Sequence, residues 1–177
     1  MSRLTASPPL PLWASSGIRS DRLAVSVVTE TWAPEVNGVS LTLQRMLHWL
    51  DQRHALTLIR PGQGRPDNGE ALTHGRTVIL PGLGLPRYPG LRLGLPATGR
   101  LLRCWEAAPP DVVHVITEGP LGWSAIRAAS RLGIPVISDF HTNFHQYLAH
   151  YRAAWLQPLA LRYLRRLHNA TALTLVP

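Results

Sequence analysis

Short runs of β-branched and aliphatic residues alternate along the chain with stretches whose apolar residues recur at helical spacing. This alternation constrains the fold more than any other feature of the sequence. The apolar runs predict strands at Leu23–Val28, Ala55–Ile59, Thr77–Leu80, Val112–Ile116, Ile134–Ser138 and Ala172–Pro177, and helices are predicted over 39–50, 97–108, 121–132 and 144–169. Strands that alternate with helices connect by right-handed crossovers. We therefore expect an α/β fold with a Rossmann-like, open, mostly parallel sheet and helices on both faces.

The length of the chain, 177 residues with 45% hydrophobic residues, is typical of one globular domain. Residues 1–21 are rich in Pro, Ser and Ala and lack the apolar core of a signal peptide, so we predict a disordered tail before a domain at 22–177. Arg, Pro or Gly interrupts every long apolar run, which predicts no membrane span. The one cysteine, Cys104, cannot form an internal disulfide. We therefore expect a cytoplasmic protein.

All 18 basic residues are Arg, and the formal net charge is +8. An all-Arg bias is explained either by the base composition of the source genome or by anionic partners, since Arg binds phosphate and carboxylate in bidentate fashion. The anionic partners considered are phosphorylated small molecules, an anionic membrane surface and nucleic acid. Nucleic acid is the weakest of these, because the arginines are dispersed and no nucleic-acid-binding motif accompanies them.

A segment between the third predicted strand and the next helix is neither polar nor helical. Leu83-Gly84-Leu85-Pro86 recurs ten residues on as Leu93-Gly94-Leu95-Pro96. We interpret this segment as a long loop, and such loops are more often functional than idle.

Polar residues follow several predicted strands, where an open parallel sheet has its ligand crevice. Four groups qualify: Glu30 with Thr31, Asn37-Gly38-Val39, Thr117-Glu118-Gly119, and the segment 139–145. Glu30 and Glu118 are suited to accept hydrogen bonds from hydroxyl groups, or else are solvated loop acids. The fold is expected to bring the four groups to one edge of the sheet.

Gly38 precedes a predicted helix, whose free N–H groups and dipole favour an anion, and a glycine there lets the anion approach closely. The alternative is that Gly38 only eases a turn. The dinucleotide fingerprint Gly-x-Gly-x-x-Gly does not follow the first strand, which argues against an NAD-dependent oxidoreductase.

Histidines at 141, 145 and 150 raise the question of a metal site. We reject it, because Thr142 stands where zinc proteases have Glu and no acidic ligand is placed nearby. His141, at a strand end, is suited to bind a ligand. His145, His150 and His168 are expected to be half-exposed helix residues, and His114 to be packed inside its strand.

Three motifs in order give the chain a resemblance to a known family. The segments 29–39, 111–120 and 139–144 read TETWAPEVNGV, DVVHVITEGP and DFHTNF. Together they resemble the amino-terminal lobe of family-4 retaining glycosyltransferases over about 22–177. The likeness is to the subgroup that transfers hexosyl units, such as mannose or sulfoquinovose, to lipid acceptors.

The resemblance implies a GT-B architecture, in which this lobe binds mainly the acceptor and a second lobe binds a UDP- or GDP-linked sugar, without a metal or other cofactor. It implies that His141 contacts the transferred sugar. It implies front-face attack with retention, and an acceptor-side or membrane-facing role for 83–96. The residues expected to bind substrate are Glu30, Asn37, Gly38, Val39, Glu118, Thr142 and Asn143.

The sequence departs from the family in one respect: the resemblance implies a second lobe with a Glu-x7-Glu motif and a diphosphate clamp, and we expect that lobe to lie outside the 177 residues given. We therefore expect the chain to be inactive alone, as a fragment or as half of a split enzyme whose partner chain supplies that lobe. Expected partners are a nucleotide sugar, a lipid or glycan acceptor and the inner membrane surface. The alternatives are a non-catalytic module that binds acceptor or phosphate, and a basic nucleic-acid-binding domain.

Overall fold

The computed structural model of the chain describes residues 22–32, 38–63, 72–85, 88–141 and 157–176. The expectations for the tail at 1–21, for Asn37, and for Thr142, Asn143, His145 and His150 lie outside these residues. The first half of the last predicted helix, 144–156, lies outside them as well.

Six parallel strands form the main sheet, as predicted. They are β1 (Ala24–Val28), β2 (Ala55–Pro61), β3 (Arg76–Leu80), β6 (Val112–Val115), β7 (Val136–Asp139) and β8 (Leu173–Leu175), in the order β3-β2-β1-β6-β7-β8. In register, Ser26 pairs with Thr57 on one side and with Val113 on the other. The chain runs outward from β1 in both directions, so the sheet has its topological switch point between β1 and β6.

Four helices cover the sheet within the described residues: α1 (Gly38–Asp51), α2 (Thr98–Ala107), α3 (Pro120–Leu132) and α4 (Gln157–His168). In α1, Leu43 and Leu47 are one turn apart and pack on Val27, on one face of the sheet. Helices α2, α3 and α4 contribute to the core cluster on the other face, which includes Val28. Because successive strand residues point to opposite faces, β1 contributes residues to the core clusters on both faces of the sheet.

Helix α3 has the start and end expected of its sequence. Pro120 occupies its first turn, where its missing N–H costs nothing. Gly133 follows its last residue at φ 67°, in the left-handed region that glycine adopts without strain. Gly133 is therefore the C-cap of α3. None of the helices in the described ranges is long and apolar enough to cross a membrane.

The expectation of a loop at 83–96 was wrong. Strands β4 (Gly82–Leu85) and β5 (Tyr88–Gly94) form an antiparallel hairpin there, with Leu83 opposite Leu93. Only the first residues of the two copies pair, because the strands are antiparallel: Gly84 lies opposite Arg92, and Gly94 lies opposite Gly82. The alternation of Gly with larger residues has the period of two that a strand requires, and the missing side chains allow close contact with neighbours. At Gly94, an added Cβ would lie 2.5 Å from Cβ of Leu121, so the hairpin lies directly against α3.

Candidate functional site

Glu30 follows β1, and its side chain accepts hydrogen bonds from β5 and from α3. Its side chain is buried. Oε1 accepts hydrogen bonds from the backbone N–H groups of Leu121 at 2.8 Å and Gly122 at 3.4 Å, and Oε2 from Gly94 at 3.0 Å. The first turn of α3 has free N–H groups that attract an anion, and this carboxylate fills that position. Burial raises the pKa of Glu30, although these three N–H groups act in the opposite direction.

Glu118 follows β6, next to β1 in the sheet, and its carboxyl group is buried. Within the described part of the chain, its Oε1 has no hydrogen-bond partner; Nε2 of His168, likewise unpartnered, lies 4.0 Å away. Burial raises the pKa of Glu118 to about 7, and the negative charges of Asp139 and Glu30 act in the same direction. Burial lowers the pKa of His168. The site therefore holds an acid and an imidazole that are both poorly solvated.

The position of His168 differs from the expectation of a half-exposed helix residue, because its side chain is only 14% exposed. Its Nδ1 lies 3.0 Å from Oγ of Ser138 in β7, which draws the ring inward. The hydroxyl group of Tyr163, also on α4, donates to the backbone oxygen of Glu118 at 2.6 Å. The sequence signals neither contact, since each joins residues at least 30 positions apart.

The carboxylate of Asp139, at the end of β7, bridges two histidines. Its Oδ1 lies 2.6 Å from Nε2 of His114, and its Oδ2 lies 2.9 Å from Nε2 of His141. His114 is buried in β6, which confirms that it is packed inside its strand. His141 is partly exposed and has its ring oriented by Asp139, so a ligand would meet its other nitrogen, Nδ1. The sequence placed Asp139 in a candidate segment without singling it out.

In the candidate group Asn37-Gly38-Val39, the structure describes Gly38 and Val39. Gly38 is the first residue of α1 and is exposed, and an added Cβ there would meet nothing within 4 Å. Val39 is partly buried against the core. Because α1 follows β1, its N-terminus lies at the same edge of the sheet as Glu30.

The carboxyl ends of β1, β6 and β7 thus place Glu30, Glu118 and Asp139 on three adjacent strands, next to the switch point. Carboxylate oxygens accept hydrogen bonds, so this edge is suited to a ligand that donates them, such as a sugar or polyol hydroxyl. Across the described residues, no group of three or more His, Cys, Asp and Glu side chains is arranged to hold a metal ion.

A cavity of about 530 Å³ opens beside Glu118, between α2, α3 and α4. Trp123 contacts the core and also lines this cavity. Its ring lies 6.1 Å from that of Tyr163, tilted by 52°.

Comparison with known proteins gives the family. Residues 36–177 match Glycosyltransferase Family 4. The chain is 32% identical over 156 residues to the GDP-mannose-dependent alpha-mannosyltransferase of Mycobacterium tuberculosis, covering 86% of this chain and 41% of that protein. It is 24% identical over 147 residues to the alpha-monoglucosyldiacylglycerol synthase of Streptococcus pneumoniae, covering 81% of this chain and 32% of that protein. The chain therefore spans less than half the length of these curated relatives.

Among solved structures, Arabidopsis thaliana UGT89C1 complexed with UDP-L-rhamnose aligns with a TM-score of 0.51 at 15% identity, over 89% of this chain and 42% of that chain. At this identity the likeness shows the fold alone, which is the Rossmann-like arrangement of one GT-B lobe. The family match, by contrast, extends over most of the sequence. This chain belongs to Glycosyltransferase Family 4.

Proposed function

We propose that the chain is the acceptor-side domain of a hexosyltransferase. In this proposal, a mannosyl-like unit passes from a GDP- or UDP-linked sugar to a lipid or glycan acceptor, with retention of the anomeric configuration. The relative from M. tuberculosis is named for GDP-mannose, and that from S. pneumoniae for a glucosyldiacylglycerol product. These names support a nucleotide-sugar donor and a lipid acceptor.

The observation that carries the proposal is the pair formed by His141 and Asp139 beside the carboxyl group of Glu118. Asp139 orients the ring of His141 at 2.9 Å, so its Nδ1 is presented at the edge of the sheet. A histidine held in this way can hydrogen-bond a sugar hydroxyl without losing rotational freedom on binding. Glu118 adds an acceptor for a second hydroxyl. In this arrangement the chain positions sugar hydroxyls, and the leaving diphosphate assists attack on the same face.

We further propose that the donor diphosphate is held mainly by a second domain. The three carboxyl groups at the sheet edge disfavour a diphosphate beside them, since like charges repel. Among the described residues, the exposed N-terminus of α1 at Gly38 is the position most suited to a phosphate oxygen. This chain spans less than half the length of its curated relatives, which is consistent with a substrate site divided between two domains.

A fusion enzyme tests the function. The chain is joined to the part of the M. tuberculosis relative that it does not span, and mannose transfer from GDP-mannose to a lipid extract is measured. We expect transfer, and we expect His141→Ala to lower kcat by about 10²-fold, as removal of one preorganised hydrogen-bonding group does. His48→Ala changes an exposed histidine on α1. It is the matched control and should leave kcat unchanged.

Two outcomes would contradict the proposal. Unchanged kcat in His141→Ala would remove this residue from the site. A folded fusion that binds lipid yet transfers no sugar would favour a non-catalytic binding module instead.

A further inference from the structure

Asp139 contacts two histidines, and the proposed function uses only one of them, His141. The other, His114, lies within β6, and its side chain is 9% exposed. The side chain of His141, just after β7, is 28% exposed. The carboxylate of Asp139 thus lies between a buried ring and an accessible one. Because His114 is buried, any effect that it has on a ligand passes through Asp139.

The surroundings of His114 favour an apolar residue at this position of β6. Val112 and Ile116, two residues before and after it, pack in the apolar cluster beneath α1, and alternation along the strand directs His114 to the same face. Burying an imidazole there costs free energy unless its polar atoms find partners. Nε2 of His114 lies 2.6 Å from Oδ1 of Asp139. This polar contact, rather than packing, accounts for a histidine at position 114.

The two histidines together fix the carboxylate of Asp139. Oδ1 faces His114, and Oδ2 lies 2.9 Å from Nε2 of His141. An ionised carboxylate only accepts hydrogen bonds, so each Nε2 atom carries a proton and donates it. With both oxygens engaged, the carboxylate cannot rotate without breaking one of these bonds. The neutral ring of His141 is therefore held with Nδ1 unprotonated, as a hydrogen-bond acceptor.

We propose that His114 is a positioning residue: through Asp139 it holds His141 in the tautomer whose Nδ1 accepts a hydrogen bond from a sugar hydroxyl. Its effect on transfer rests on the proposed function, whereas the tautomer of His141 is a property of this chain alone. A ligand oxygen that can only accept, such as an ether oxygen, is disfavoured opposite Nδ1, because neither atom has a proton to donate. The arrangement thereby selects a hydroxyl group.

Nitrogen NMR of the full chain with isotopically labelled histidines tests the tautomer without any substrate. At about pH 8.5, where imidazole is neutral, we expect both His141 and His114 to be protonated at Nε2. His141→Gln and His114→Gln identify the two sets of signals, because each removes one of them. A His114 ring protonated at Nδ1 in the wild-type chain would overturn the proposal, and this measurement needs no variant to fold other than those used for assignment.

Two amide variants at position 114 separate positioning from packing. The side chain of His114→Gln is long enough to donate an N–H to Asp139, whereas that of His114→Asn is one methylene shorter. We expect His114→Gln to keep the tautomer of His141. His114→Asn should increase the minor tautomer about tenfold, because Asp139 loses one of its two fixed hydrogen bonds. His48→Ala, on the exposed side of α1, is the control and should change nothing.

The fusion enzyme described above tests the effect on transfer. We expect His114→Asn to lower kcat about tenfold, since a misplaced group can cost up to about 100-fold. KM for GDP-mannose should change little, because in the proposed function the second domain holds most of the donor. His114→Gln should restore most of kcat.

An unchanged His141 tautomer in folded His114→Asn would overturn the proposal. Equal loss of kcat in His114→Asn and His114→Gln would also overturn it, since that result indicates a role in packing alone. Tautomers as expected in a fusion that transfers no sugar would count against the proposed function and leave the positioning of His141 intact.

Discussion

At the scale of single residues, Glu30 and Glu118 are two buried acids with different surroundings. Glu30 accepts three backbone N–H groups, from Gly94, Leu121 and Gly122. Glu118 has an oxygen without a hydrogen-bond partner in the described structure. We therefore infer that Glu30 chiefly stabilises the fold, while Glu118 keeps a carboxyl group available to a ligand. Its role in substrate binding remains a prediction, as does that of Glu30.

Glu30→Ala is expected to lower the free energy of unfolding by about 3 kcal/mol, because it leaves buried N–H groups without their charged acceptor. Urea unfolding measures the change. Glu106→Ala removes an exposed carboxylate on α2 and is the matched control, with an expected change within ~0.5 kcal/mol. Equal effects of the two substitutions would show that the contacts of Glu30 contribute nothing to stability.

The raised pKa of Glu118 predicts a pH-dependent stability. The native state holds the proton more tightly than the unfolded state, so this group's contribution is fully favourable below pH 4.5 and is lost as the pH rises to about 7. Glu118→Gln cannot ionise, and it should therefore stabilise the protein by about 2 kcal/mol more at pH 8 than at pH 5.

Urea unfolding of wild type and Glu118→Gln at both pH values measures this difference. Comparing the two proteins cancels the opposing contribution of His168, whose lowered pKa favours stability at higher pH. Glu106→Gln controls for loss of one carboxylate. A pH-independent difference between Glu118→Gln and wild type would contradict the prediction.

The sequence placed Glu30, Glu118 and His141 at strand ends correctly, because strand runs are readable from apolar patterns. It did not show what Glu30 contacts, because those partners lie 64 to 92 residues further along the chain. The same holds for His168, whose burial depends on contacts with β7 and Glu118. Local patterns carry no information on such pairings.

At the scale of elements, α3 organises the site, because its first turn receives Glu30 and its surface forms a wall of the cavity. Its close approach to the sheet depends on Gly122, where an added Cβ would overlap the backbone oxygen of Thr117. Helical periodicity predicted α3 closely. The sequence analysis did not predict the hairpin β4–β5. Its strands are rich in Gly, which has a low propensity for strands, so the segment was interpreted as a loop.

Two helical glycines give contrasting predictions. Gly122→Ala should destabilise the protein by about 3 kcal/mol, since the clash involves backbone that cannot move aside. Gly99→Ala on α2 meets nothing nearer than Nη1 of Arg103 at 3.9 Å, and should be neutral or stabilise by up to ~0.5 kcal/mol. Thermal and urea unfolding of both variants check this. Similar effects of the two substitutions would contradict the close packing of α3.

At the scale of the whole molecule, the sheet order places the candidate site at the switch point between β1 and β6, with α1 on one face and the cavity on the other. The alternation of strands and helices was sufficient to predict a parallel sheet with helices on both faces, but it did not give the order of the strands. The identity of the family came from three motifs in order and is shown by the match over 36–177. The chain spans less than half the length of its curated relatives, so the sugar, the nucleotide and the acceptor are proposals.

The most direct test of the central claim compares three proteins in one assay: this chain, the remaining part of the M. tuberculosis relative, and their fusion. Mass spectrometry of lipids incubated with GDP-mannose detects any hexosylated product. We expect product from the fusion and none from either half, because we propose that acceptor and donor are bound by different domains. Hexosylation by this chain alone, or an inert fusion whose halves are both folded, would contradict the claim.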